Sequence, residues 1–220
     1  MIVFELIADT VPSVKSSDMA ARALDWMGEF KLGQLPIVDD GQYKGIITET
    51  DIFDAESMEV PVGEIRFAGW ESAFIYQGSH VFDAIEAMNK FKLEVLPVLD
   101  EDNKYLGVIT IRDLLLYLNR MFAVQEAGGI LVLEIPQNSY TVSEIGRICE
   151  SADATILSLY LSQQPDLSMQ VTLKLNVEDL SRVVASFERF EYKIVRTYQK
   201  ATPLDDLRHN YEALLNYLDI

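Results

Sequence analysis

The 220-residue chain has one cysteine and two histidines. A lone thiol, Cys149, closes no disulfide within the chain, which fits a reducing compartment. His80 and His209 lie far apart with no Cys or acidic ligand at metal spacing, so no metal site is expected. Basic side chains are also scarce: 18 Lys and Arg face 35 Asp and Glu, a net charge of -17. Nucleic-acid binding needs clustered cations to displace counterions from phosphates, and no basic stripe is present. An anionic membrane surface is disfavoured for the same reason. No apolar run approaches transmembrane length, and Glu5 and Asp9 interrupt the opening MIVFELIADT, which lacks the basic flank of a secretory leader. A catalytic triad, a Walker-type loop and a dinucleotide fingerprint are all missing. These absences lead to the expectation of a cytoplasmic, non-enzymatic protein.

What the chain does contain is an internal repeat, the feature that most constrains a fold. Asp18 to Asp39 (DMAARALDWMGEFKLGQLPIVD) lies without a gap over Ser79 to Asp100 (SHVFDAIEAMNKFKLEVLPVLD), with eight identities in register. Each copy opens on a helical pattern, Ala20, Ala23, Leu24 and Met27 in the first and Val81, Ile85, Met88 and Phe91 in the second, which buries one face. A Leu-Pro strand follows, then a turn of Asp, Gly and Asn, then a second strand: a hairpin. A further helix is expected from Asp51 in one copy and from Asp113 in the other.

Each copy ends in G-x-x-T-x-x-D, Gly45 to Asp51 and Gly107 to Asp113. Gly leads the strand into the helix, Thr stands at the helix entrance and Asp falls in its first turn. An anion there would meet unpaired N–H groups, the helix dipole and a hydroxyl donor, while the carboxylate could accept from ribose hydroxyls. The same residues also serve as ordinary caps, Thr48 and Thr110 at the N-cap with Asp51 and Asp113 in the first turn.

Behind LPIVD and LPVLD, this motif resembles the CBS domain, over about the first 125 residues. The resemblance implies an α/β (α+β) pair packed about a pseudo-twofold axis, with an adenosyl site shared between copies. It implies that Thr110 and Asp113 work with Ser13, Gln34, Leu35 and Pro36, and that Thr48 and Asp51 work with Phe74, Val95, Leu96 and Pro97. The first set is expected to be stronger. Arg112 beside Asp113 can reach a phosphate, whereas Thr50 takes that place in the other copy, next to the repelling Glu49. Phe74 is also bulkier than its counterpart Ser13. Arg112 reads equally well as a solvated helix residue paired with a neighbouring acid. The ligand is left open among AMP, ADP, ATP, S-adenosylmethionine and NAD, with no cofactor required.

Ala127-Gly128-Gly129 breaks the pattern and reads as a linker. Beyond it the order is strand (Ile130 to Ile135), helix (Val142 to Ser151), two strands (Thr155 to Leu161, Met169 to Leu175), helix (Asp179 to Phe187) and strand (Lys193 to Tyr198). This is the ferredoxin-like βαββαβ plan. It resembles the ACT domain, although Gln137 and Tyr140 stand where amino-acid-binding ACT domains carry an acid and a Gly. Cys149 reads as a buried small hydrophobe. In the tail, Leu204, Leu207, Tyr211, Leu214 and Leu218 form one helical stripe, for packing on its own domain or on a second subunit. The expected layout is thus 1–65 and 66–126 for the repeats, 129–200 for the ACT-like domain and 203–220 for the tail helix.

The order CBS, CBS, ACT resembles bacterial accessory proteins of acetoin utilisation. Only the architecture is taken from that resemblance. The expectation is a regulator that reads an adenosyl ligand and acts on a partner enzyme or transporter, and a homodimer, since CBS pairs and ACT sheets usually self-associate and the tail adds an apolar stripe. Three alternatives stand beside that: a structural dimeriser with empty clefts, an ACT-type amino-acid regulator, and an enzyme using Asp51 and Asp113 as a catalytic pair. The last has no base, nucleophile or metal ligand to accompany the two acids.

Overall fold

The computed structural model describes residues 2–8, 10–55, 57–65, 70–136, 141–164 and 168–199. Its chain divides into two compact units, Met1–Tyr117 and Leu118–Ile220.

In the first unit the repeat is visible element by element. Helices α1 (Ala20–Phe30) and α3 (Val81–Phe91) bury Ala20, Ala23 and Met27, and Val81, Ala84 and Met88. Each ends on a lysine in left-handed conformation, Lys31 (φ 55°) and Lys92 (φ 53°). Strands β1 (Gln34–Asp39) and β2 (Gln42–Thr48) pair antiparallel, as do β4 (Val95–Leu99) and β5 (Tyr105–Thr110), each hairpin with a bulge at the same place. In the first hairpin both turn residues, Asp40 (φ 48°) and Gly41 (φ 78°), are left-handed, the two-residue geometry that matches strand twist. The extra residue of the second turn is absorbed by the Asp100 carboxylate, which accepts from the N–H groups of Asp102 and Lys104. Helices α2 (Glu49–Phe53) and α4 (Ile111–Met121) begin two residues before the expected Asp51 and Asp113, directly behind Thr48 and Thr110. A short strand β3 (Ile75–Tyr76) runs parallel to β4.

The N-terminal residues do not stay with the first repeat. Val3 and Leu6 are buried in the core of the second, among Val81, Leu96, Val98 and Ile109. The Val3 and Phe4 N–H groups donate to the carbonyls of Ser79 and Gln77, and the Ala8 N–H donates to that of Val108. The chain returns to the first repeat at Val14, which pairs parallel with Ile37. Residues 2–8 and 10–14 thus form a strap from one repeat to the other. Gly107 makes room for it: at φ 146°, a Cβ there would sit 2.6 Å from Ile7 Cγ2.

The second unit carries β6 (Ile130–Ile135), α5 (Val142–Ser151), β7 (Ile156–Gln163), β8 (Met169–Leu175), α6 (Ser181–Arg189) and β9 (Lys193–Tyr198). Its sheet order is β7-β8-β6-β9 with every neighbouring pair antiparallel, the split-βαβ topology read from the sequence. Leu131, Leu133, Val171 and Leu173 meet Ile145, Ile148, Val183 and Phe187 in one core. Cys149 is buried there, and burial raises its thiol to about 11. The tail at 203–220, His209, Gln137 and Tyr140 lie outside the described residues.

Candidate functional site

Thr110 caps α4 and exchanges three hydrogen bonds with Asp113. The Thr110 N–H and hydroxyl both donate to Asp113 Oδ2 (3.0 and 2.5 Å), and the Asp113 N–H donates to Thr110 Oγ1 (3.2 Å). Thr48 and Asp51 repeat the arrangement at 2.9, 2.6 and 3.1 Å. These are reciprocal caps, and they change the chemistry expected of the motif. The Ile111 N–H is also taken, by the carbonyl of Glu94 (3.1 Å). Most of the donors expected to be open to an anion are therefore engaged, those of Thr110, Ile111 and Asp113 and the Thr110 hydroxyl proton among them. What stays available at Asp113 is Oδ1, since each of its side-chain hydrogen bonds within the described residues ends on Oδ2.

Beside this cap lies a cleft of about 650 Å³. Thr110, Ile111, Arg112 and Asp113 of the second repeat form one wall. Phe30, Lys31 and Leu32 at the end of α1 form the other, with Ala8, Thr10 and Val11 of the strap and Glu94 completing the lining. Three of the residues expected at the stronger site, Thr110, Arg112 and Asp113, thus come together and face the first repeat. Arg112 and Lys31 are both exposed, Asp113 partly so.

The partners expected from the first repeat are placed differently from the cleft wall. Leu35 and Pro36 are buried in β1. Ser13 is half-buried, one residue before the bridge at Val14. Gln34 lies on the seam between repeats, where its amide nitrogen donates to the Lys92 carbonyl (3.3 Å) and its Oε1 accepts from the Glu94 N–H (3.0 Å). The Glu94 carboxylate answers by accepting from the Gly33 N–H (2.7 Å). Sequence reasoning missed Lys31, Glu94 and the strap. Lys31 was part of the repeat identity, but its left-handed cap and its place on the wall come from tertiary structure.

At the equivalent position in the other half, Val95, Leu96 and Pro97 are buried in β4. Phe74 packs edge-on against Tyr43 (6.0 Å between centroids) and Tyr76 (5.4 Å). Its ring is committed to an aromatic cluster.

A second cleft, of about 640 Å³, lies in the second unit and is lined by Glu134, Glu144, Glu191, Tyr192 and Lys193 among others. Two pairs of its polar groups engage one another. The Tyr192 hydroxyl donates to Glu144 (2.8 Å), and Lys193 pairs with Glu134 (2.7 Å). Burial, then the Glu144 bond, push the Tyr192 phenol up to about 12.

Two hairpin-and-helix repeats, with a cleft between them beside the Thr110–Asp113 cap, define a paired α/β module. Residues 3–57 and 70–120 match the family model described as the CBS domain, and the chain belongs to that family through a tandem pair. Inosine-5'-monophosphate dehydrogenase of Aquifex aeolicus is 33% identical over 46% of this chain and 21% of its own length. An uncharacterised 17.7 kDa protein of Acidianus ambivalens is 30% identical over 51% of this chain and 70% of its own. The chain therefore spans about a fifth of the length of the matched dehydrogenase. Among solved structures, CBSX2 in complex with AMP is 22% identical, with a TM-score of 0.46 over 56% of this chain and 96% of that one. No helix among the described residues is long and apolar enough to cross a membrane, and no cluster of metal-ligating side chains occurs among them.

Proposed function

We propose that this protein is a non-enzymatic, cytoplasmic regulator that binds an adenine nucleotide in the cleft beside Asp113 and passes its occupancy through a homodimer to a partner enzyme or transporter. The observation that carries this reading is the cleft itself. It sets Arg112 and the open Asp113 Oδ1 of one repeat opposite Lys31 and Leu32 of the other, so one ligand touches both. Phosphate, ribose and an apolar base each find suitable chemistry there. The weaker counterpart is the Thr48–Asp51 half, with Phe74 committed elsewhere. The second unit acts as an ACT-like assembly domain, in keeping with its strand order and with the layout of acetoin-utilisation accessory proteins.

The capping boxes favour a second reading, a structural dimeriser, because they satisfy Thr and Asp with no ligand involved. An amino-acid ligand in the second unit is the weaker option. Its cleft has three glutamates against one lysine, which is already paired, so a ligand carboxylate would meet repulsion.

A melting panel separates the readings. An adenine nucleotide at about a hundredfold its dissociation constant should add roughly 2.7 kcal/mol, several degrees in Tm. If AMP, ADP, ATP, S-adenosylmethionine and NAD at millimolar concentration all leave the melt unmoved, the structural reading replaces this one.

A further inference from the structure

Resting on the reading of this cleft as a nucleotide site, we propose that it selects a nucleoside monophosphate over a triphosphate, the phosphate being clamped between Lys31 and Arg112 from opposite repeats. The argument begins with the donors already in use. The N–H groups of Thr110, Ile111 and Asp113 and the Thr110 hydroxyl are all engaged within the fold, which leaves the entrance of α4 short of the several open donors that hold a phosphate unaided. Neutralising the anion falls to side chains, and the described lining offers two cations, Lys31 and Arg112.

The same wall carries two carboxylates. Glu94 is pinned to the Gly33 N–H, and Asp113 is held by Thr110. One phosphate, with a charge of about -1.5 to -2 near neutral pH, matches the two cations. The additional phosphoryl groups of a triphosphate find no third cation on the described walls and approach Glu94 instead. Lys31 is placed for this role by backbone geometry, because its left-handed conformation ends α1 at the wall of the cleft. In the other repeat Lys92 has the same conformation, but Glu49 and Thr50 stand where this half has Ile111 and Arg112, so the counterpart of the Arg112 cation is missing there. The clamp belongs to one half of the pair.

Calorimetric titration of the full chain with adenosine, AMP and ATP, in magnesium-free buffer of fixed ionic strength, tests the proposal. AMP should bind at least about tenfold tighter than both adenosine and ATP, the scale of a charge-assisted contact. In Lys31→Ala the ratio of AMP to adenosine affinity should collapse toward one, and Lys31→Arg should restore most of it. ATP binding as tightly as AMP, or an unchanged ratio in Lys31→Ala, overturns the clamp while leaving the nucleotide site standing. Failure of all three compounds to bind overturns both.

Discussion

Thr110 and Asp113 satisfy one another through three hydrogen bonds, as do Thr48 and Asp51, so a substitution at either Asp tests two roles together. The structural role is shared. Asp51→Ala and Asp113→Ala should each destabilise the fold by about 0.5–2 kcal/mol, the usual cost of losing a helix cap, and the two should melt within a few degrees of each other. The ligand role is not shared. Only Asp113 faces the cleft, where Oδ1 is open to a ribose hydroxyl, and losing a charged acceptor costs roughly 1.5–3 kcal/mol, or more than tenfold in affinity. Asp113→Ala should therefore bind AMP more than tenfold more weakly while Asp51→Ala binds within a few-fold of the parent. The reverse order in a calorimetric titration would move the site to the other half of the pair.

Among the elements, two glycines separate backbone necessity from accident. Gly28 lies inside α1 with nothing within 4 Å of an added Cβ, so Gly28→Ala should stabilise by about 0.5–1 kcal/mol through helix propensity. Gly107 has φ 146° and meets Ile7, so Gly107→Ala should destabilise by about 1–3 kcal/mol and loosen the strap beside the cleft. Equal melts for the two variants would contradict the account of the strap. The same contrast explains what the sequence made legible. Hairpins and helices repeated at matched positions were readable because their apolar periods and turn residues act locally. The strand order of the second unit followed from element order in the same way. Helix starts moved by two residues, since Thr48 and Thr110 act as N-caps and place each Asp at the third helical position. The strap escaped notice because Val3 and Leu6 find their core about eighty residues downstream. Lys31 was hidden for a related reason: nothing local to a surface lysine reports which wall it completes. Gln34 was read as a ligand contact, yet the seam between the repeats engages both ends of its amide.

For the whole molecule, the unanswered demand is exposed apolar surface on the first unit. In α4, Ile111, Leu115 and Leu116 are 47%, 61% and 53% exposed, while Leu114 alone among the helix residues is counted in the core. Phe53 at the end of α2 is 60% exposed. An eleven-residue helix gains most of its stability from packing, so a face of this kind calls for a cover. A second copy of the chain provides one at no cost in specificity, since a twofold interface lets α4 meet its own counterpart. Light scattering at high micromolar concentration should thus give twice the 24.9 kDa chain mass. Leu115→Asp should return it to the chain mass. That variant disturbs little within the subunit, because the side chain it replaces is mostly exposed, and an unpaired carboxylate buried in the interface would cost several kcal/mol. A parent protein that scatters as a single chain removes the dimer altogether. A Leu115→Asp variant that still scatters as a pair leaves the dimer standing but moves the interface away from α4, to the second unit.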